Sequence, residues 1–331
     1  MNKSIGTIKR WRMQVFAITW LAYAAFYFTR KAFSVAKLGI GEDPTFHLDK
    51  MAMANLDAVY LAAYAIGQFT WGILADRYGP RVVVMGGLII SALAALMMGT
   101  FATLPIFATC MLIQGLAQST GWSALCKNIG SFFPAEQRGR VLGLWSSSYA
   151  FGGLVASPFA GWWAYTLMGT WHAAFISSAA VVAVVAVLFF IFQRNKPEDV
   201  GLPAVEPEPQ MTAEEEAAEK RLSIWAPLRE IMRNRTVLTL GLAYFMLKPA
   251  RYAILLWGPV IVFEQMPQVG KVGAAIIPTA FELAGLLGPI MIGLASDKIF
   301  GARRMPACIL SLLALTVSLA FFMGALQSGS V

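Results

Sequence analysis

Nine stretches of this chain are long and apolar enough to cross a lipid bilayer, and little else narrows its folding as strongly. About 20 apolar residues span the hydrocarbon core. Each backbone N–H and C=O there must find its partner inside the same segment, so the spans are predicted as α-helices. They fall at approximately 13–37, 52–74, 82–102, 105–128, 141–165, 173–193, 236–265, 272–294 and 305–326. Hydrophobic residues make up 58% and charged residues only 13%, with a mean hydropathy of +0.63. Soluble domains carry about 25% charge. The expectation is an all-α integral membrane protein.

The net charge of +8 does not indicate nucleic acid, because of where the charges lie. Lys and Arg fall mainly in loops on the side of the amino terminus, whereas the opposite side holds only Lys37, Lys50 and Lys271. That asymmetry predicts a cytoplasmic amino terminus in a multi-pass protein of the cell inner membrane. The opening MNKSIGTIKRWRMQ leads into a full-length span with no small-residue cleavage site, so it reads as a cytoplasmic tail and an uncleaved first helix. Cys110, Cys126 and Cys308 show no paired spacing and are expected as reduced packing residues. His47 and His172 lack metal-ligand neighbours. No metal, cofactor or nucleophile–base pair is expected, which argues against an enzyme.

Residues 194–235 are the one long polar connection, Pro- and Glu-rich at its start. Residues 1–193 before it form a predicted six-helix bundle, and 236–331 after it hold three spans. The two parts are related. Arg30, in YAAFYFTRKAFSV, and Arg251, in FMLKPARYAILLW, lie 221 residues apart. Gly72 and Gly293, which open GILADRYGPR and GLASDKIFGAR, have the same offset. A tandem repeat places the two arginines in equivalent positions. A charge near the middle of a membrane helix costs about 2.5–3.5 kcal/mol, so it usually faces a cavity and has a function. Paired cations across such a cavity suit an anion. A repeat whose second copy stops halfway predicts nine helices of an expected twelve, in a chain either naturally short or truncated.

GILADRYGPR, with Gly72, Asp76, Arg77, Gly79 and Arg81, resembles the loop between helices 2 and 3 of the major facilitator superfamily, and SDKIFGARR repeats it with Asp297, Lys298 and Arg303. The physical role of such a motif is conformational. Its charges make contacts at helix ends that must break when bundles rock. Within that superfamily the chain is similar to the organophosphate:phosphate antiporters, on FYFTRKAFS at 26–34, GLAQSTGW at 115–122, RNKPEDVGLP at 194–203 and ARYAILLWGP at 250–259. The group's signature R-G-x5-W-N-x2-H-N-x-G-G is kept at Arg138, Gly139, Trp145, Gly152 and Gly153. The chain departs from it with Ser146, Tyr149 and Ala150 in place of Asn, His and Asn. Where many members carry a Lys in the second helix, it has Gln68.

The resemblance implies a major facilitator fold of two pseudo-symmetric bundles, and an exchange of organic phosphate for inorganic phosphate by alternating access. It also implies phosphate ligands at Arg30 and Arg251. Guanidinium matches phosphate bidentately, which lysine cannot. Tyr149 and Gln68 are expected in the cavity from their places in the group's pattern. Tyr27 and Tyr23 share the face of Arg30, either as packing or as cavity lining. Lys248, three residues before Arg251, is a further candidate ligand. Lys31 points about 100° from Arg30, with gating and snorkelling both open. Glu282 reads as the one acid deep in a span, with Asp57 marginal. It is expected as a salt-bridge partner of Lys248 or Arg251, a gate or a protonatable site being the other readings. Asp76, Arg77, Arg81, Asp297 and Arg303 are expected in gating contacts, and Lys127 as an interfacial or gate cation. The surplus of Arg30, Lys31, Lys127, Lys248 and Arg251 over Glu282 again suits an anion. Two rival functions are a membrane sensor of external sugar phosphate and a transporter of another organic anion. The expected state is a monomer in lipid, with a small anion and no nucleic acid as partner.

Overall fold

The computed structural model describes residues 2–205, 232–300 and 304–328. Its α-helices in chain order are α1 (Asn2–Ile40), α2 (Lys50–Tyr78), α3 (Pro80–Thr100), α4 (Leu104–Gln118), α5 (Thr120–Phe132), α6 (Ala135–Trp145), α7 (Ser147–Trp162), α8 (His172–Phe192), α9 (Arg235–Gln265), α10 (Gly270–Ile276), α11 (Ala280–Lys298) and α12 (Arg304–Ser328). Among the described residues these make nine spans, because α4 runs on into α5, α6 into α7 and α10 into α11. Five segments, Lys50–Tyr78, Pro80–Thr100, His172–Phe192, Arg235–Gln265 and Pro267–Gly288, are individually long and apolar enough to cross a membrane.

The breaks inside three spans have local causes. Ser119 Oγ donates to the Leu116 carbonyl, and Thr120 Oγ1 donates to that of Ala117, both at 2.7 Å. Ser146 Oγ donates to the Leu142 carbonyl at 2.7 Å. Hydroxyls that bond back to the preceding turn loosen and bend a helix. In the third case a 3-10 turn at Ile277–Thr279 contains Pro278, which has no N–H to continue the ladder. The span expected at 141–165 starts earlier, at Ala135, and ends in a π-helical turn, Trp163–Leu167.

α1 is the axis of the molecule. It packs against α5, α7 and α8 of its own half and against α9 of the other, while α7 meets α10 and α11. Its buried side chains run from Val15 to Ile40. Gly152 and Gly153, which close the signature, sit where α7 meets its neighbours. A Cβ on Gly152 would lie 2.7 Å from the Ala24 carbonyl oxygen and 2.9 Å from Tyr27 Cβ, so α1 approaches α7 closely only because Gly152 has no side chain. Trp145, fully buried, donates from Nε1 to Thr19 Oγ1 at 3.1 Å and packs its ring against Tyr23 and Trp122. Arg138 Nε donates to the carbonyls of Gly130 and Phe133, tying α6 to the end of α5.

RNKPEDVGLP also has a visible job. Asp199 Oδ2 accepts from the N–H groups of Asn195 and Lys196, and Asn128 Nδ2 donates to the carbonyls of Arg194 and Asn195. Asn195 Oδ1 in turn accepts the Arg81 N–H at 2.7 Å. The segment after α8 is thereby fastened to the α2–α3 turn and to α5. At the other end of the bundle, Asp43 in the α1–α2 loop accepts from Thr45 and from Trp171 Nε1. These donors hold its carboxyl below the usual carboxylate range.

Gly152→Val is expected to overpack the α1–α7 contact and cost about 1–3 kcal/mol. Thermal unfolding of the detergent-purified variant measures this, and a midpoint equal to that of the wild type would contradict the close-approach account.

Candidate functional site

A cavity of about 1240 Å³ lies between the two halves. Tyr23, Tyr27, Arg30, Gln68, Tyr149, Lys248 and Arg251 all line it, so the seven candidate ligands read from the sequence are brought to one place. Arg30 is 6% exposed and its guanidinium lies over the rings of Tyr27 and Tyr64, at 4.6 and 5.0 Å. It does not snorkel to the interface. Arg251 lies over Tyr149 at 5.0 Å and over Phe281 at 5.9 Å. Tyr149, which replaces the signature's His, therefore offers a π face to the arginine of the opposite half. Tyr64, Trp122, Tyr244 and Tyr252 also line the cavity and were not singled out in the sequence, where each looks like an ordinary aromatic in an apolar span.

Glu282 is buried against α7. A Cβ on Gly153 would come within 2.6 Å of the Glu282 carboxyl carbon, so the last signature glycine leaves room for a side chain from the other half. The carboxylate faces Arg251 Nη2 at 3.6 Å and Lys31 Nζ at 3.8 Å. Among the described residues Lys248 is not its partner. The Lys248 ammonium instead lies 5.6 and 6.0 Å from the ring centroids of Tyr244 and Tyr252. Lys31, 2% exposed, is turned inward rather than towards the interface, which removes the snorkelling reading.

Lys31 also reaches the backbone of the other half. Pro259 in α9 has no N–H for the Leu255 carbonyl four residues earlier. That oxygen accepts instead from Lys31 Nζ and from Ser34 Oγ, each at 3.2 Å. One turn further along α1, Lys37 Nζ donates to Asp57 Oδ2 at 2.5 Å and to the Leu256 carbonyl at 3.0 Å, and lies 4.1 Å from a Trp257 ring centroid. Two readings need correction here. Lys37 is no loop cation but 2% exposed inside the molecule, and Asp57 is a second buried acid at 4%. Lys37 sits seven residues after Arg30, two helical turns along the same face, which was the available signal. Its place near the end of the apolar run hid it.

The face holding the α1–α2 loop carries two more bridges between the halves, Lys50–Glu264 at 2.8 Å and Lys271–Glu42 at 2.6 Å. No ion pair joins the halves at the opposite face among the described residues. There the motif loop works inside the first half. Asp76 pairs with Lys127, Arg77 lies over the Tyr78 ring, and the Arg81 guanidinium donates to the Phe190 carbonyl. In this conformation the Asp76 and Arg81 contacts both lie within the first half. Arg303 and the side chain of Asp297 lie outside the described residues, as does the linker from 206 to 231.

Two helical halves packed around a central cavity, each contributing an arginine to it, define a membrane transport architecture. A family model described as the Major Facilitator Superfamily matches residues 19–331, and the chain belongs to that superfamily. It is a multi-pass membrane protein and not an enzyme. The chain is 29% identical over 323 residues to a probable hexose phosphate transport protein of Chlamydia trachomatis, covering 94% of this chain and 70% of that one. It is 27% identical over 331 residues to a phosphoglycerate transporter protein of Salmonella typhimurium, covering 96% and 70%. Among solved structures it is similar in fold to a bacterial homologue of the human lysosomal transporter Spinster, with a TM-score of 0.69 at 17% identity. That match covers 88% of this chain and 64% of the other.

Asp57→Ala is expected to strand the Lys37 ammonium in the interior and to destabilise the protein by about 3–5 kcal/mol, whereas Lys37→Met combined with Asp57→Leu recovers most of that loss. Thermal unfolding of the single and double variants decides. Equal midpoints for the wild type and Asp57→Ala would rule out a desolvated pair.

Proposed function

We propose that the protein is a secondary transporter that exchanges an organic phosphate, of the sugar phosphate or glycerol phosphate class, for inorganic phosphate by alternating access. The observation that carries this reading is the presence of Arg30 and Arg251, one from each half, on the walls of one cavity. Arg30 Nη2 is buried and has no hydrogen-bond partner in the protein. Glu282 stands 3.6 Å from Arg251, beyond hydrogen-bond distance, and is the one acid facing Arg251 and Lys31 among the described residues. A phosphate dianion offers both arginines short, bidentate, charge-assisted bonds that Glu282 does not make. The names of the two curated relatives agree with an organophosphate substrate.

The ligands come from different halves, so an anion between them draws the halves together. Motion towards the alternate state has to break Lys50–Glu264, Lys271–Glu42 and the bonds from Lys31, Ser34 and Lys37 to the α9 carbonyls. Binding energy at the arginines offsets that cost, as in transporters whose site sits at the interface of two repeats. With the amino terminus on the cytoplasmic side, the face closed by these contacts is the outer one. The domain reading is a bundle at 1–193, a linker at 194–235 and a second bundle from 236 onwards, working as a monomer.

Arg30→Lys and Arg251→Lys each remove a bidentate, charge-assisted contact of about 1.5–3 kcal/mol. Each is expected to slow phosphate exchange in proteoliposomes ten- to hundredfold with expression unchanged. Normal exchange by either variant rejects the clamp. Phosphate binding without any exchange by the wild type would favour a sensor over a transporter.

A further inference from the structure

Behind Arg30, four helices of the first half bury a connected set of polar side chains, none of which lines the cavity. Gln118 on α4, fully buried, is at its centre. Its Oε1 accepts from Arg30 Nε at 3.0 Å and from the Tyr60 hydroxyl at 2.7 Å. Its Nε2 donates to Thr29 Oγ1 and to Gln114 Oε1, each at 3.2 Å. Thr29 Oγ1 is 2.9 Å from Ser91 Oγ, and Gln114 Nε2 reaches the Ser91 carbonyl at 3.4 Å. Thr29, Ser91, Gln114 and Tyr60 are all 3% exposed or less.

A glutamine amide has two lone pairs at one end and two N–H donors at the other. Here the Arg30 and Tyr60 donors take both lone pairs, while Thr29 and Gln114 take both N–H groups. The amide has one workable orientation, because turning it over would set its NH2 against the Arg30 N–H. Arg30 is thus gripped at Nε, and its Nη2 has no protein partner.

We propose that Gln118 is a positioning residue for Arg30, holding the guanidinium by Nε so that Nη2, which has no hydrogen-bond partner in the protein, is left for the anion. A neutral acceptor is essential to this role. A carboxylate in the same place would satisfy Arg30 internally and compete with the substrate. This proposal rests on the reading of Arg30 as an anion ligand, and the two fail differently.

The experiment uses inorganic phosphate binding to the purified full-length protein in detergent, with its thermal midpoint measured alongside. Gln118→Glu, nearly identical in shape, is expected to weaken phosphate binding about tenfold or more while the protein stays folded. Gln118→Leu is expected to weaken it as well, through loss of the grip. Arg30→Lys removes the Nε–H donor, so adding it to Gln118→Glu is expected to cost less than it costs alone, the non-additivity of residues acting through one another. Wild-type phosphate affinity in folded Gln118→Glu overturns the proposal, and so do fully additive effects. Should Gln118→Leu fail to fold, Gln118→Glu and the cycle still decide. If Arg30→Lys itself binds phosphate normally, the anion-ligand reading fails and this proposal with it. If Arg30→Lys weakens binding and the Gln118 variants do not, only the positioning role is lost.

Discussion

A charge withdrawn from water into a membrane helix must be answered by an opposite charge, a dipole or a ligand. The arrangement of this protein follows from how α1 meets that demand for three cations. Arg30 is answered by the Gln118 carbonyl and two tyrosine faces, Lys31 by Glu282 and the Leu255 carbonyl, Lys37 by Asp57 and the Leu256 carbonyl. For Lys31 both answers, and for Lys37 one of two, come from α9 or α11 in the other half. The cost of burying the cations is therefore also what holds α1 against α9.

Pro259 gives that contact its form. A helix normally consumes its own carbonyls, and α9 has one to spare at Leu255 because the residue four places on has no N–H. The spare oxygen meets an ammonium and a hydroxyl from α1. A contact made of one carbonyl and two side-chain donors is directional, so it fixes the register of α1 against α9. By contrast, the Asp76–Lys127 pair and the Asn195 and Arg81 bonds fasten the first half to itself. The molecule uses its polar contacts in two ways, some fastening a half to itself and some joining the two halves.

The candidate site was legible where chemistry announces itself in a span. Arg30 and Arg251 are conspicuous in apolar surroundings, their shared offset with the glycine motif pairs them, and Gln68 and Tyr149 follow from the signature. Gln118 was not legible, since a glutamine in GLAQSTGW reads equally as a polar residue on a helix face. Nor was the choice of partner for Glu282. Lys248 and Arg251 were both open as partners, and the close seat that Gly153 leaves for Glu282 sets it facing Arg251, and also Lys31, rather than Lys248. Lys37 and Asp57 look like helix-end residues until the chain is folded.

Hydrophobic run length and loop charge are local quantities, and the bilayer imposes them segment by segment. For that reason the sequence alone determined that the chain is a helical, multi-pass membrane protein. Which side chains satisfy those charges depends on helix rotation and on distances of a few ångströms between segments far apart in the chain. Hydrogen bonds and desolvated ion pairs act only over such distances. The partners of Arg30, Lys31, Lys37 and Glu282 were decided by tertiary structure.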